Sequence, residues 1–164
     1  MIVVPDAGPL IYLAGSGQLG LLKTLYDEVV VPRIVIDDVV VAGAGLVGAA
    51  EVAAASWLTI REVAPDPALL AVLDRGEAAA LPLAESLAAT LLVDDADARA
   101  VAAARGVAVV GTVGVLLIAK HRRLIEAVAP VLERMESFGM YVSVRLRREV
   151  LRLAGESAES GADE

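Results

Sequence analysis

The chain begins with a short apolar run that leads one aspartate into a turn, Ile2-Val3-Val4-Pro5-Asp6-Ala7-Gly8-Pro9-Leu10-Ile11. The β-branched residues of the run favour a buried strand, and apolar residues with helical spacing resume directly after the turn. In an α/β sheet, ligands bind beyond the carboxyl ends of the strands, so a carboxylate at this position is well placed for chemistry. An aspartate that follows a strand is also often the N-cap of the next helix. The stretch alone leaves both roles of Asp6 open.

Composition limits the chemistry that this protein can perform. The 164 residues suffice for one domain with a buried core, and 57% of them are apolar. There is no cysteine and a single histidine, His121, which excludes disulfides, thiolate metal sites and zinc sites of several imidazoles. Catalysis must therefore use carboxylates, hydroxyls, Lys or Arg. The sequence predicts no signal peptide and no membrane helix, and we expect a cytoplasmic protein.

Apolar strand patterns alternate with helical patterns along the chain, which predicts an α/β fold with parallel strands. Residues 90–110 are the clearest case, a strand–helix–strand unit with a right-handed crossover. Other strands are expected at residues 28–31 and 58–63, and helices at residues 33–41, 74–87 with an interruption at Pro82, 115–121, 124–137 with a kink at Pro130, and 144–154. Residues 1–154 are expected to form one domain, and residues 155–164 a disordered acidic tail.

The charge is distributed unevenly along the chain. Residues 1–98 contain 4 Lys or Arg against 14 Asp or Glu, whereas residues 99–152 contain 10 against 4. An acidic region beside a basic region suits a polyanion that lies over bound cations. Solvated helix faces of mixed sign would give the same totals, so this distribution does not decide the function.

Acidic residues recur at positions that the predicted sheet brings to one edge. Asp6 follows the first strand, Asp38 lies on a helix, Glu77 lies at a helix start, and Asp94 with Asp95 follows the strand that begins the crossover. Clustered carboxylates raise one another's pKa values unless a cation lies among them. Oxygen ligands without Cys or His select a hard ion, Mg²⁺ or Mn²⁺, and such ions act most often on phosphates.

Several segments, in this order and spacing, resemble the PIN-domain superfamily of VapC-like toxin ribonucleases, and more closely its DUF3368-type branch. The resemblance covers nearly all of residues 1–152. The matching segments are Asp6-Ala7-Gly8-Pro9-Leu10-Ile11, Val31-Pro32-Arg33-Ile34-Val35-Ile36-Asp37-Asp38-Val39, Asp74-Arg75-Gly76-Glu77-Ala78, Leu91-Leu92-Val93-Asp94-Asp95 with Ala98-Arg99, Val109-Val110-Gly111-Thr112-Val113-Gly114-Val115-Leu116 with Ala119-Lys120, and Ser137-Phe138-Gly139-Met140-Tyr141-Val142-Ser143. It implies a three-layer α/β/α fold around a mostly parallel sheet of four to five strands.

The resemblance also implies a set of site residues. Asp6, Asp38, Glu77 and Asp95 match the acidic quartet that holds Mg²⁺ or Mn²⁺ in active members of the family. Asp94 is an alternative to Asp95 or a second ligand. Thr112 near the same edge either binds RNA or caps a helix, and the arginines of the last helix, Arg145, Arg148 and Arg152, are candidate RNA contacts.

The predicted function is a Mg²⁺- or Mn²⁺-dependent endoribonuclease, the toxin of a toxin–antitoxin pair. Its predicted partners are an RNA substrate, a small antitoxin protein and a second copy of the chain. The alternative is a degenerate PIN-like module that binds RNA or protein and cleaves nothing. A third class, a Mg²⁺-dependent phosphatase or receiver domain, fits less well. A receiver places an acid pair after its first strand and a phosphoacceptor aspartate after its third, and this sequence does not have that arrangement.

Overall fold

The structure, a computed structural model, describes residues 1–156 and forms two compact units, Met1–Thr112 and a unit that begins at Val113. The first unit is built on one sheet with the strand order β3-β2-β1-β4-β5, and every pair in it is parallel. The first strand of the chain is therefore the central one. The strands are β1 (Ile2–Pro5), β2 (Glu28–Pro32), β3 (Thr59–Arg61), β4 (Thr90–Leu92) and β5 (Val109–Val110). The predicted α/β class and parallel sheet are confirmed.

The register of the sheet fixes where Asp6 lies. Val3 of β1 is opposite Val29 of β2 and Thr90 of β4. Just beyond β1, the Asp6 N–H donates to the Leu92 carbonyl over 2.9 Å, so the end of β4 holds the backbone of Asp6 directly. Because all five strands are parallel, the residues that follow them arrive at the same edge of the sheet.

Helices connect the strands of the first unit, as parallel pairing requires. The helical segment after β2 changes from α to the wider π geometry at Asp38 without a break, so the helix predicted over residues 33–41 is present but not uniform. The helices are α1 (Ala7–Gly15), α2 (Gly20–Leu25), α3 (Arg33–Asp37) with the π-helical turn Asp38–Ala42, α4 (Ala49–Ala54), α5 (Arg75–Ser86) and α6 (Ala96–Ala104).

One face of the sheet packs against α5. Val4, Val30 and Leu91 lie side by side on the three central strands and are 0–1% exposed. Leu81 and Ala84 of α5 are fully buried in the same core. Alanine keeps this helix surface flat, so its backbone can approach the sheet and fill the space without voids. The packing fixes the position of α5 relative to the end of β1.

Pro82 lies inside α5 and does not interrupt it, contrary to the prediction. Proline has no N–H, so the carbonyl four residues earlier, that of Ala78, lacks its intrahelical donor. The Asp66 N–H donates to this carbonyl over 3.0 Å. The loop before the helix therefore satisfies the group that Pro82 leaves without a donor.

The C-terminal helices are α7 (Thr112–His121), α8 (Val128–Ser137) and α9 (Val144–Leu153). The prediction of one helix over residues 124–137 was wrong in its first part, because residues 124–126 form bends and Ala127 is extended. Arg123, just before these bends, has a left-handed backbone with φ of 61°. Pro130 falls in the first turn of α8, where its missing N–H removes no intrahelical hydrogen bond, so no kink results. In residues 1–156 no helix has the length and apolar character of a membrane span.

Glu156 caps the N-terminus of α8. Ala127, at the N-cap position, has no side chain that accepts a hydrogen bond. Glu156 instead accepts from the Val128 N–H over 2.7 Å and the Ala129 N–H over 3.1 Å, and lies 3.2 Å from the Lys120 Nζ. Burial raises the pKa of Glu156, but these three donors outweigh it and hold that pKa below its usual value. Glu156 belongs to the segment predicted as a disordered tail, and residues 157–164 of that segment lie outside the described residues.

Replacing Glu156 by Ala is expected to lower the free energy of unfolding by about 1–2 kcal/mol, because two first-turn N–H groups lose their acceptor. Glu156→Gln keeps an acceptor oxygen and should lose less. Urea denaturation at neutral pH measures both. The control is Glu133→Ala at an exposed position of the same helix; equal losses in Glu156→Ala and this control would contradict the capping role.

Candidate metal centre

Asp6 enters the edge of the sheet directly from β1. Its backbone is extended, with φ of −84° and ψ of 172°, and α1 begins at the next residue. The side chain makes no capping hydrogen bond to α1, although Asp6 occupies the N-cap position. It is nevertheless 91% buried, since only 9% of the residue is exposed. Of the two roles left open by the sequence, a helix cap therefore does not account for this carboxylate.

Asp74 and Glu77 are fixed by the start of α5. The Glu77 N–H donates to Asp74 Oδ1 over 2.8 Å, and the Asp74 N–H donates to Glu77 Oε2 over 3.1 Å. This reciprocal pair is a capping box, with aspartate as the N-cap. Each carboxylate uses one oxygen in the box and retains a second. The box therefore holds both side chains at the mouth of the helix.

Three carboxylates converge at this edge of the sheet. Asp6, Asp74 and Glu77 each offer an oxygen, and these oxygens all lie within 4.8 Å of one another. Metal–oxygen distances are roughly 2.0–2.6 Å, and two ligands of one ion lie at most twice that far apart. The spacing is therefore compatible with a single hard cation held by all three.

Gly76 permits this close approach. A Cβ at Gly76 would lie 3.1 Å from Asp6 Oδ1 and 3.5 Å from Asp74 Oδ1. The first contact is tighter than a side chain normally makes, so any other residue here would push on the Asp6 carboxylate. The backbone at the start of α5 lies against Asp6 because this position has no side chain.

The electrostatics of the centre favour a bound cation. Burial is the main cause that raises the pKa of Asp6 to about 6, against a smaller lowering by the Ala7 N–H, and the charge of Asp74 adds to the rise. Burial likewise raises the pKa of Glu77 to about 7, opposed by the hydrogen bond from the Asp74 N–H and assisted by the charges of Asp74 and Asp6. A cation among these groups would relieve both effects.

Asp38 and Asp95, two members of the predicted quartet, are not part of the three-carboxylate group, but their charges act on its members. Asp38 is exposed at the start of the π-helical turn, and its charge contributes to the raised pKa of Asp6. Asp95 is the N-cap of α6 and accepts from the Ala98 N–H over 2.9 Å. Its charge contributes to the raised pKa of Glu77. Their role as metal ligands stays a prediction.

Asp94 and Thr112 form a clamp between the ends of β4 and β5. The Thr112 N–H donates to Asp94 Oδ1 over 2.8 Å, and the Thr112 hydroxyl donates to Asp94 Oδ2 over 2.6 Å. Both oxygens of Asp94 are therefore engaged within the protein. Thr112 is fully buried, so its hydroxyl serves Asp94 rather than a ligand. The hydrogen bonds join the two strand ends, and the predicted roles of Asp94 as a metal ligand and of Thr112 as an RNA contact stay predictions.

Asp74 is the residue that sequence reasoning missed. The Asp74-Arg75-Gly76-Glu77 segment was recognised, but Asp74 was treated only as the opening of a helix. The signal that could have found it is the Asp-x-x-Glu spacing. A capping box holds the N-cap and N3 side chains next to each other, so with Asp at the N-cap and Glu at N3 the two carboxylates lie side by side.

The arginines predicted to contact RNA lie on α9 in the second unit. Arg145 and Arg148 are exposed. Arg152 is also exposed and pairs with Glu149, three residues earlier, over 2.7 Å. RNA binding by this helix stays a prediction.

The comparison of the chain with known families decides its membership. The family model DUF3368, a PIN domain, matches residues 2–156, nearly the whole chain. The protein belongs to the PIN-domain family. The PIN fold is seen again in a PilT N-terminus domain protein from the hyperthermophilic archaeon Sulfolobus solfataricus P2, with a TM-score of 0.51 and 18% identity over 87% of this chain and 98% of that chain. No functionally curated protein matches the sequence. PIN domains are generally nucleases and usually use divalent metals, and the carboxylate group of this PIN domain is a possible metal site.

The raised pKa values predict how stability depends on pH when no metal is present. The folded protein holds protons on Asp6 and Glu77 that the unfolded chain releases above about pH 4–5, so their stabilising contribution is lost as pH rises through 6 and 7. Between pH 5 and pH 8 the free energy of unfolding should fall by about 2–4 kcal/mol, the lower figure allowing for solvent screening of the partly exposed Glu77. Urea denaturation with EDTA present measures this change.

Glu77→Gln separates this effect from other titrations, because Gln still accepts in the capping box but carries no charge. The variant should have a shallower pH dependence than the wild type. Glu51→Gln, at an exposed acid of α4, is the matched control and should leave the dependence unchanged. An identical pH dependence of stability in the wild type and Glu77→Gln would show that the titration of Glu77 does not contribute to it.

Proposed function

We propose that this PIN domain is a metal-dependent endoribonuclease that holds Mg²⁺ or Mn²⁺ with Asp6, Asp74 and Glu77. The observation that carries the proposal is the convergence of these three carboxylates within 4.8 Å at the carboxyl edge of the sheet. Asp38 and Asp95 complete the acidic set around them. Membership of a family whose members are generally nucleases supports the reaction class.

The donor chemistry fits a hard divalent cation. All ligand atoms are carboxylate oxygens, and the chain offers no cysteine and only His121 as an imidazole. Two of the three carboxyls have pKa values raised to about 6 and about 7, so without a cation part of the cluster would be protonated near neutral pH. A divalent ion must displace these protons, so its binding should release protons and become tighter as the pH rises through 6 and 7.

The proposed roles of the residues follow from which carboxylate oxygens are not used in hydrogen bonds within the protein. A bound ion would supply an activated water and would stabilise the charge that develops on the scissile phosphate. The capping box holds Asp74 and Glu77, and the sheet holds Asp6, so the ligands need little rearrangement. Asp38 and the free oxygen of Asp95 are proposed to bind metal-associated water or to accept its proton.

The RNA itself is proposed to follow the basic part of the sequence. Residues 99–152 carry 10 Lys or Arg against 4 acids, and Arg145 and Arg148 on α9 are exposed. Exposed guanidinium groups bind phosphates well, because their planar donors match two phosphate oxygens.

A toxin role in the cytoplasm, with a small antitoxin and a second copy of the chain as partners, is proposed from the resemblance to VapC-like proteins. Expression of the protein in a bacterial host tests it through growth arrest. Arrest that Asp6→Asn abolishes and that a small neighbouring reading frame relieves would support the role. Normal growth at high expression of active enzyme would contradict it.

Asp74→Asn is expected to reduce RNA cleavage roughly 100-fold or more at fixed Mn²⁺, as should Asp6→Asn, because each removes one charged ligand. Asparagine is as good an N-cap as aspartate, so Asp74→Asn should leave the thermal stability of α5 intact. The assay follows labelled RNA with Mn²⁺ and with EDTA. Glu51→Gln is the control and should cleave like the wild type.

The alternative function, a module that binds RNA or protein without cleaving, makes the opposite prediction. If a folded, metal-loaded wild type cleaves no member of a mixed RNA pool, the nuclease proposal fails. If it cleaves and Asp74→Asn cleaves equally well, the activity is real but the assignment of Asp74 is wrong.

A further inference from the structure

Arg99 lies at the edge of the sheet where β4 and β5 end. It belongs to α6, and its Nη1 donates to the Val93 carbonyl over 3.3 Å. The same nitrogen lies only 2.8 Å from where a Cβ of Gly111 would be. The guanidinium group therefore lies directly against the backbone of the segment that follows β5.

This position is at the same edge as the metal centre. Val93 directly follows Leu92, whose carbonyl accepts the backbone N–H of Asp6 over 2.9 Å. Asp94, the next residue, is close enough for its charge to raise the pKa of Asp6. Arg99 thus brings a positive charge to an edge that otherwise consists of carboxylates.

Arg99 forms no ion pair within residues 1–156. The neighbouring Asp94 accepts hydrogen bonds from Thr112 instead, one at each oxygen. The Val93 carbonyl is a neutral acceptor and uses one of the five N–H donors of the guanidinium group. Arg99 is exposed, so its charge and its remaining donors face solvent. Arg105, the C-cap residue of the same helix, differs because it pairs with Glu85 over 3.3 Å.

We infer that Arg99 binds a backbone phosphate of the RNA beside the metal centre and so places the strand over Asp6, Asp74 and Glu77. The inference rests on the proposed function for the identity of its substrate. A guanidinium group that is held by a backbone carbonyl is oriented in advance and loses little freedom when it binds a phosphate. One fixed positive charge is also what an anionic strand needs to approach an acidic cluster.

Gly111 and the Asp94–Thr112 clamp make this placement possible. The clamp fixes the segment that contains Gly111, and the absence of a side chain there leaves the space that the Arg99 guanidinium occupies. Gly111 has no left-handed φ, so alanine can adopt its backbone conformation. An added methyl group would displace the flexible end of Arg99 without removing its charge, and it would also lie 3.1 Å from Asp94 Oδ1 in the clamp.

The test measures binding of a short fluorescein-labelled single-stranded RNA of mixed sequence by anisotropy, with EDTA present so that nothing is cleaved. Arg99→Ala is expected to weaken binding about tenfold. The slope of log K against log salt should become shallower by about 0.7, the value for one lost phosphate contact on a single strand. Arg99→Lys should keep most of the slope, because it retains the charge.

Two further variants distinguish contact from net charge and from folding. Arg105→Ala removes the same charge from the same helix and should leave affinity and slope unchanged within error. Gly111→Ala keeps every charge and should weaken binding like Arg99→Ala, with an unchanged far-ultraviolet circular dichroism spectrum. A salt slope in Arg99→Ala equal to that of Arg105→Ala, or no RNA binding by the wild type, would overturn the inference. If binding depends on Arg99 but no protein cleaves RNA with Mn²⁺, the proposed nuclease function fails and this inference stands.

Discussion

The burial of neighbouring carboxylates at the carboxyl end of β1 is the constraint on which the rest of the site depends. The central position of β1 brings Asp6 to the middle of the edge, where it is 91% buried and next to Asp74 and Glu77. Burial and mutual repulsion together raise the pKa values of Asp6 and Glu77. A fold that keeps such a group together does so at a cost in stability, and a divalent cation offsets that cost. The same carboxylates therefore account both for the proposed metal chemistry and for the lower stability expected of the metal-free protein.

The surrounding structure is arranged to hold that group in place. The alanine-rich face of α5 packs on the sheet, and Gly76 lets the start of the helix lie against Asp6. The capping box then fixes the two acids of α5 without using up their oxygens. On the other side of β1, the Asp94–Thr112 clamp joins the ends of β4 and β5. The hydrogen bonds of the capping box and of the clamp, which form where strands end and helices begin, thus orient the carboxylates at this edge.

The sequence was sufficient to predict the parallel α/β fold and the edge at which acids collect, because strand ends and the helices after them follow local patterns. It could not show which oxygens remain free. Asp94 was predicted as a ligand, and the sequence did not reveal that a threonine eighteen positions later in the chain donates a hydrogen bond to each of its oxygens. Asp74 was expected only to open a helix; it is the N-cap of α5, and one of its oxygens also lies within 4.8 Å of a carboxylate oxygen of Asp6. The continuity of α5 through Pro82 likewise depends on a donor, Asp66, that no helical pattern reveals.

The most direct test of the central claim is a crystal structure determined with Mn²⁺, in which anomalous scattering locates the ion without reference to the protein. The account predicts one strong peak within bonding distance of carboxylate oxygens of Asp6, Asp74 and Glu77, roughly 2.0–2.6 Å from each. A peak held by Asp38 and Asp95 without Asp74, or no peak at this edge at saturating Mn²⁺, would contradict it.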